Sequence, residues 1–438
     1  MPATPPADDR NVPAAKPWPV DAATVLNSLC GYGSFAFFCL TLPLFLPLAL
    51  LLPGGRHRWI AKVMRLAMRT VFAVTPTVTW RFDGEVAALD GARVVVANHE
   101  GMLDILAACS LPGTRTLLAK TWVFRGFPLG VAARAAGLFN SDALGAEDYQ
   151  EGATVTLPDP RVGLFVFPEG SRSRDGAIHR FRPGAFVLAR HLDVAVVPVV
   201  VAGSRLGIRP GSLWIHPSCV HSRVLAPMRP LAQETHRQFS ARVRAEIDGQ
   251  HRRLMVEMLR DGRLARHRRH RCAGLPTALR RQVTAEERAG GWRVLLDLPS
   301  SAGAWLFLGC GWSTAPLTVR MLQPAAAIHL VESDAGRLAV ARHQWLQEGD
   351  LVAAEVDQVP LAGITTVVCA WEAGDARRAA ALARLAAAEV TMVVMRGAAD
   401  ALAGFTRAAP GVGEWVAWER SADQPGNSAK APSSPMHS

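Results

Sequence analysis

The feature that most constrains this chain is a run of 24 residues, 29–52, without a formal charge. As a helix it would extend about 36 Å, enough to cross a hydrocarbon core of about 30 Å. Such a stretch must be buried in a core or inserted in lipid, and insertion is the expectation here. Pro43 and Pro47 lie inside it and favour a kink or a re-entrant hairpin over a straight span. It is too long, and starts too far from Met1, to be the apolar part of a cleaved signal peptide. Arg56, Arg58, Lys62, Arg65 and Arg69 follow at once, interleaved with Trp59, Ile60, Met64, Leu66, Met68, Val71 and Phe72. Lys62, Arg65 and Arg69 share one helical face, so a basic amphipathic helix on anionic headgroups is expected. The bias of basic residues toward the inner leaflet then puts the rest of the chain on the cytoplasmic face.

A length of 438 residues implies two or three domains. Half the residues are apolar and 19% are charged, which excludes a largely disordered or collagen-like chain. The net charge of +11 calls for an anionic partner. The seven cysteines are scattered and form no Cys-x-x-Cys, so neither a disulfide framework nor a structural zinc site is expected, and a reducing compartment fits best.

The expected organisation begins with a proline-rich disordered leader over 1–24, followed by membrane-inserted and interfacial helices over 25–76. An α/β domain over 77–250 has strand candidates at 79–82, 93–97, 162–167 and 194–201. A basic arm over 251–291 comes next: His251 to Arg271 holds eight arginines and two acids. It lacks the interleaved aromatics of a stacking platform, so lipid is preferred as its partner and no nucleic acid is expected. A second α/β domain over 292–420 has strand candidates at 304–308, 327–331, 365–370 and 390–395, but few strands toward its C-terminal end. Residues 421–438 read as a disordered tail.

His99 stands at the end of an apolar strand and Asp104 five residues later, in Asn98-His99-Glu100-Gly101-Met102-Leu103-Asp104. Histidine is the usual general base near neutral pH, and a carboxylate on its far nitrogen fixes the tautomer. In an unbroken helix residues i and i+5 lie about 140° apart, so the pair meets only if the backbone turns, which Gly101 permits. His329 and Asp334 share the spacing, but His329 lies inside a predicted strand with no glycine between. Downstream, Phe167-Pro168-Glu169-Gly170-Ser171-Arg172-Ser173 runs from a strand into a glycine turn. Gly170 permits positive φ, and Ser171 with Arg172 can offer a phosphate a hydroxyl, backbone amides and a bidentate cation.

With the segments 181–186 (Phe-Arg-Pro-Gly-Ala-Phe) and 197–204 (Val-Pro-Val-Val-Val-Ala-Gly-Ser), these two motifs make four in order. The series resembles the glycerolipid (1-acylglycerol-3-phosphate-type) acyltransferase family over roughly residues 30–230. The resemblance implies His99 as base on the acceptor hydroxyl and Asp104 as its orienter. It implies Glu169, Gly170, Ser171 and Arg172 as the loop for the acceptor phosphate, with Lys120 near the site. The implied reaction is attack of a lysophospholipid hydroxyl on an acyl thioester carried by CoA or acyl carrier protein, with no metal or cofactor. One departure concerns the headgroup: Gly137-Leu138-Phe139 leads to Asn140-Ser141-Asp142, where the family usually has an arginine. That leaves the headgroup open, with Arg172, Arg174, Arg180 and Arg182 as substitutes.

In the second domain, Leu308-Gly309-Cys310-Gly311-Trp312-Ser313 turns at the end of a strand, and Glu332 ends the next. Glycines let a backbone approach a nucleoside, and an acid at that distance suits a ribose diol. The pattern resembles the first half of a class I S-adenosylmethionine methyltransferase, which implies Gly309, Gly311 and Glu332 as cofactor-binding residues. Three readings stay open: a membrane-bound acyltransferase with a methyltransferase-like domain, a methyltransferase anchored by a non-catalytic first domain, and a lipid-associated scaffold.

Overall fold

The computed structural model describes residues 18–51, 56–113, 115–126, 129–135, 138–140, 162–209, 211–298, 303–347, 350–371, 375–386, 388, 390–396, 405–412 and 415–421. The chain forms two compact units that divide between Gly274 and Leu275.

The first unit begins with α1 (Ala22–Leu51) and α2 (Arg56–Val74), which pack on each other. Among the described residues α1 alone is long and apolar enough to cross a membrane, over Ala22–Leu42. Its backbone stays helical past Pro43 and Pro47. Its first turns are docked on the body of the unit by polar side chains: Asn27 Nδ2 donates to Thr77 Oγ1 at 2.6 Å, and Ile215 N donates to Ser28 Oγ at 2.9 Å. Leu29 and Phe37 on the same helix remain 68% and 69% exposed.

In α2 two of the expected headgroup contacts are made with protein instead. Arg65 Nη2 donates to Gly113 O at 2.8 Å and Arg69 Nε to Ser110 O at 3.0 Å. These carbonyls end or follow α3 (Leu103–Ser110), where unpaired C=O groups attract cations. Met68, Val71 and Phe72 of α2 are buried beneath them, so the helix belongs to the core of the unit.

The sheet of this unit comprises β1 (Val78–Gly84), β2 (Val94–Ala97), β3 (Arg115–Ala119), β4 (Phe139–Asn140), β5 (Gly163–Val166), β6 (Val196–Ala202) and β7 (Ser218–Val224). Its order is β1-β7-β6-β2-β5-β3-β4, parallel throughout except for the β6–β7 pair. β2 and β6 are buried at every position, which is why both read as unbroken apolar runs. β7 gives no such signal, because Ser218, His221 and Ser222 interrupt it. Ser222 is accommodated in the interior by a hydrogen bond from Trp80 Nε1, 3.1 Å away.

Helices α4 (Thr121–Arg125), α5 (Leu129–Ala135), α6 (Gly184–His191), α7 (Ser204–Gly207), α8 (His236–Arg260) and α9 (Ala265–His270) complete the unit. The boundary expected between residues 250 and 251 falls inside α8. That helix starts on a capping box of Thr235 and Gln238 and buries Phe239, Val243, Ile247, Leu254 and Met258 along one stripe. The basic stretch that follows is likewise part of the unit and not a separate arm: Arg268 and Arg271 are buried. The Arg271 guanidinium lies 4.4 Å, and that of Arg209 4.7 Å, from the Trp18 ring centroid. Trp18 also meets His216 and His267 edge-on, so the leader does not extend to residue 24. Residues 1–17 of that leader, and 422–438 of the tail, lie outside the described residues.

The second unit contains α10 (Thr277–Ala289), β8 (Ala304–Leu308), α11 (Thr314–Leu322), β9 (Ile328–Val331), α12 (Ala335–Gln344), β10 (Leu351–Ala353), β11 (Ile364–Cys369), α13 (Ala376–Ala386), β12 (Met392–Arg396), β13 (Phe405–Val412) and β14 (Trp415–Arg420). Its sheet runs β10-β9-β8-β11-β12-β14-β13, the first five strands parallel and β14 antiparallel to both neighbours. The expected shortage of C-terminal strands is therefore incorrect. The register of β13 against β14 shifts between Arg407 and Ala409 and again between Ala409 and Val412. The strand order reverses between β8 and β11, the place where open α/β sheets usually hold ligands.

Candidate active site

Four parallel strands of the first unit deliver the candidate residues at their C-terminal ends. β2 leads to His99, β5 to Glu169, β3 to Lys120 and β6 to Ser204. His99 Nδ1 lies 2.8 Å from Asp104 Oδ2, and Gly101 N donates to the same oxygen at 2.8 Å. Asp104 thus sits in the first turn of α3 and reaches back over the turn, as an acid at a helix start is suited to do. Gly101 is required for space more than for its dihedral angles: a Cβ there would meet Ser204 Oγ at 2.5 Å and Arg205 N at 2.9 Å.

Asp104 is fully buried, and burial raises its carboxyl above the ordinary aspartate value. The His99 ring and the Gly101 amide pull it down, while the Glu100 carboxylate pushes it further up. A carboxylate kept basic in this way is a strong acceptor for the Nδ1 proton, which leaves Nε2 as the ring's free lone pair. Phe167 stacks on the His99 ring at 4.2 Å between centroids, 21° from parallel, and holds it flat.

Glu169 does not present its carboxylate to a ligand, contrary to expectation. Oε1 accepts from His99 N at 2.8 Å and Oε2 from His179 N at 3.1 Å. Burial raises its carboxyl, against these two amides, and a buried carboxylate would repel a phosphate. Its role is to join the two loops, assisted by Ser173 N, which donates to His99 O at 2.8 Å. Gly170 has φ +76°, which suits glycine, and Gly170 N closes the turn onto Phe167 O. Ser171 and Arg172 are exposed beyond it, and Lys120 is exposed after β3. Arg180 and Arg182 are exposed as well; Asp142 lies outside the described residues.

Two contacts here carry no sequence signal. Asn98 pairs with the backbone of Val201 through both ends of its amide at 2.8 Å, fixing β2 to β6 ahead of His99. Glu100 contacts Ser204 N and His251, residues more than 100 positions away. Only the tertiary fold brings such partners together. The control pair behaves differently: His329 stays in β9, and Asp334 caps α12 through Arg337 N at 2.7 Å.

In the second unit Gly309 and Gly311 adopt positive φ, as a glycine turn after a strand would. Glu332, however, is buried and accepts from Cys310 N at 3.2 Å and Asp334 N at 2.9 Å. Glu286 of α10 accepts from Trp312 N, and from Thr314 Oγ1 at 2.5 Å, with its carboxylate against Gly311. The turn is satisfied by the chain's own acids, so this arrangement does not fit a bound nucleoside.

The match to a family model falls within the first unit. Residues 80–202 match a family model described as Acyltransferase. The chloroplastic 1-acyl-sn-glycerol-3-phosphate acyltransferase LPAT1 of Arabidopsis thaliana is 30% identical over 153 residues, 34% of this chain and 41% of that protein. The human 1-acyl-sn-glycerol-3-phosphate acyltransferase alpha is 34% identical over 113 residues, 25% of this chain and 40% of that protein. The crystal structure of the 1-acyl-sn-glycerophosphate acyltransferase PlsC from Thermotoga maritima aligns with a TM-score of 0.45 at 19% identity, covering 53% of this chain and 97% of that one. The chain spans about two fifths of the length of the two curated relatives. The family match takes in His99, Asp104, Lys120 and the turn at Glu169 to Arg172, and over part of its length the chain is similar in sequence to these 1-acyl-sn-glycerol-3-phosphate acyltransferases.

Proposed function

We propose that the first unit is an O-acyltransferase that moves a fatty acyl group from acyl-CoA or acyl carrier protein to the hydroxyl of a lysophosphatidate-like glycerolipid. The observation that carries this reading is the 2.8 Å contact of His99 Nδ1 with Asp104, in a segment that matches the Acyltransferase family model, within a chain similar in part to 1-acyl-sn-glycerol-3-phosphate acyltransferases. His99 Nε2 takes the proton of the acceptor hydroxyl as its oxygen attacks the thioester carbonyl. Asp104 steadies the imidazolium. Collapse of the tetrahedral adduct forms the ester, breaks the C–S bond and returns the proton from Nε2 to the leaving thiolate. Ser171 and Arg172, exposed on the turn after β5, and Lys120, exposed after β3, are assigned to the acceptor phosphate, whereas the Glu169 carboxylate is buried.

The substrates require a lipid surface, and α1 supplies the matching feature: a long apolar helix with Leu29, Phe37 and Leu40 exposed. The catalytic face is assigned to the cytoplasm on the basic residues after α1. For the second unit the strand order supports a Rossmann-like ancestry, while the filled glycine turn gives methyl transfer no support. No step is routed through S-adenosylmethionine.

The deciding experiment follows thiol release from acyl-CoA and from acyl carrier protein by the full chain in vesicles containing 1-acylglycerol-3-phosphate, with the lipid product read by mass spectrometry. Release that depends on the lysolipid is expected. No acceptor-dependent release from either donor refutes the reading. The phenylalanine tests the membrane part: Phe37→Glu should lower co-sedimentation with vesicles, and unchanged sedimentation counts against insertion of α1.

A further inference from the structure

Glu100 directly follows His99, yet its carboxylate serves a different set of contacts. Oε1 accepts from Ser204 N at 2.7 Å, and Oε2 lies 3.0 Å from Nε2 of His251. Both side chains are largely buried. His251 stands on α8, outside the segment 80–202 that matches the family model. A helix remote in sequence therefore reaches the loop that carries His99.

The charged groups facing His251 are Glu100 from the loop after β2, Asp248 from α8 itself and Arg205 from α7. Burial and Arg205 oppose a charge on the ring, but Glu100 and Asp248 prevail and hold it above the ordinary histidine value. Glu100 acts on the site as well, since it raises the Asp104 carboxyl. The negative charge of Glu100 disfavours the ionised form of Asp104. A cation on Glu100 relieves that repulsion and lets Asp104 stay ionised against His99.

We propose that His251 is a positioning residue for acyl transfer: through Glu100 it holds the His99 loop against α7 and α8 and neutralises the second carboxylate beside Asp104. The inference rests on the acyltransferase reading above. If His251 is neutral, its Nε2–H still donates to Glu100 but carries no charge, and the Glu100 carboxylate is left as an uncompensated buried charge. The second negative charge beside Asp104 is then no longer offset, and the loop that carries His99 is held less firmly against α8. Since the cation exists only below the His251 titration, acyl transfer falls as pH rises through it.

The test measures kcat and KM for acyl-CoA from about pH 6 to about pH 9, a range that brackets histidine titration, in the full chain carrying His251→Gln, Glu100→Gln or both. His251→Gln is expected to lower kcat about tenfold, by stranding a buried charge, with little change in KM. It should also remove the alkaline decline. Glu100→Gln, whose amide oxygen can still accept from Ser204 N and which needs no counter-ion, is expected to lose less rate than His251→Gln and also lacks the decline. The double variant recovers much of the rate that His251→Gln loses, which a purely structural role for His251 would not produce. A wild-type pH profile in Glu100→Gln, or a double variant no faster than His251→Gln, overturns the proposal, and the Glu100→Gln result decides it even if His251→Gln does not fold. His99→Ala serves as the separate control: acceptor-dependent turnover in that variant overturns the acyltransferase reading itself. An inactive His99→Ala beside an unaltered His251→Gln overturns only the positioning role.

Discussion

His99 Nδ1 and Asp104 Oδ2 are 2.8 Å apart although five residues separate them, because the chain turns at Gly101 between the end of β2 and the start of α3. His99→Ala removes the base, and Asp104→Asn replaces the basic acceptor with a neutral amide. Each is expected to lower kcat by about 10²–10⁴-fold, the usual worth of a positioned general base. Lysolipid-dependent thiol release measures it, and wild-type turnover in either variant would remove the pair from the chemistry.

Gly101→Ala places a methyl group 2.9 Å from Arg205 N and 2.5 Å from Ser204 Oγ. Backbone cannot yield as a flexible side chain can, so α7 or the His99 loop must shift, at a cost of about 1–3 kcal/mol. A lower unfolding temperature together with a reduced kcat is the expected result. A variant with normal stability and rate would show that the close approach is unimportant.

Three buried histidines make the first unit acid-sensitive. Burial, with the charges of His270, Arg271 and Arg209, pushes His216 down to about 3. His267 is held well below the usual value by burial and Arg271, and His270 is lowered chiefly by burial. Neutral rings are needed here: His270 links Asp21 to His216 at 3.1 Å on each side, and His267 Nδ1 bonds Pro217 O at 3.0 Å. The unfolded chain takes up these protons below about pH 6.5 while the folded one resists, so the stabilisation is complete above that value and lost as pH falls toward 3. For His216 alone the effect is of order a few kcal/mol. Unfolding temperature measured against pH should drop over this window and flatten in His216→Phe; an equally steep curve in the variant would exclude His216 as the source.

Arg65 and Arg69 hold the carbonyls at and after the end of α3. Removing either side chain should cost about 1 kcal/mol, the scale of a lost cap or a helix-end charge. Vesicle binding should change little, because these side chains face protein. Arg65→Ala that loses vesicle binding at unaltered stability would restore the headgroup role expected from sequence.

In the second unit Glu286 occupies the amide turn at Gly311 and Trp312. S-adenosylmethionine should therefore leave the unfolding temperature of the full chain unchanged. A ligand-dependent rise in the wild-type chain would mean that the carboxylate gives up its place.

The amino-acid sequence by itself determined the central strands, because β2, β5, β6 and β8 are apolar on both faces and announce themselves as continuous runs. It also determined the His99–Asp104 pair and the glycine turn at Gly170, since local chain geometry brings those residues together. Tertiary structure alone decided what faces inward. Arg65, Arg69, Arg268 and Arg271 read as lipid-directed charge, but they end on carbonyls, on Trp18 or in the interior, because orphan carbonyls and aromatic faces far along the chain compete with solvent for them. Glu169 read as part of a phosphate loop and became a brace for two loops, and His251 entered the site from α8 without any local signal. Patterning along a chain encodes which faces are apolar; which distant partner satisfies a given polar group depends on contacts that exist only once the sheet and helices have packed.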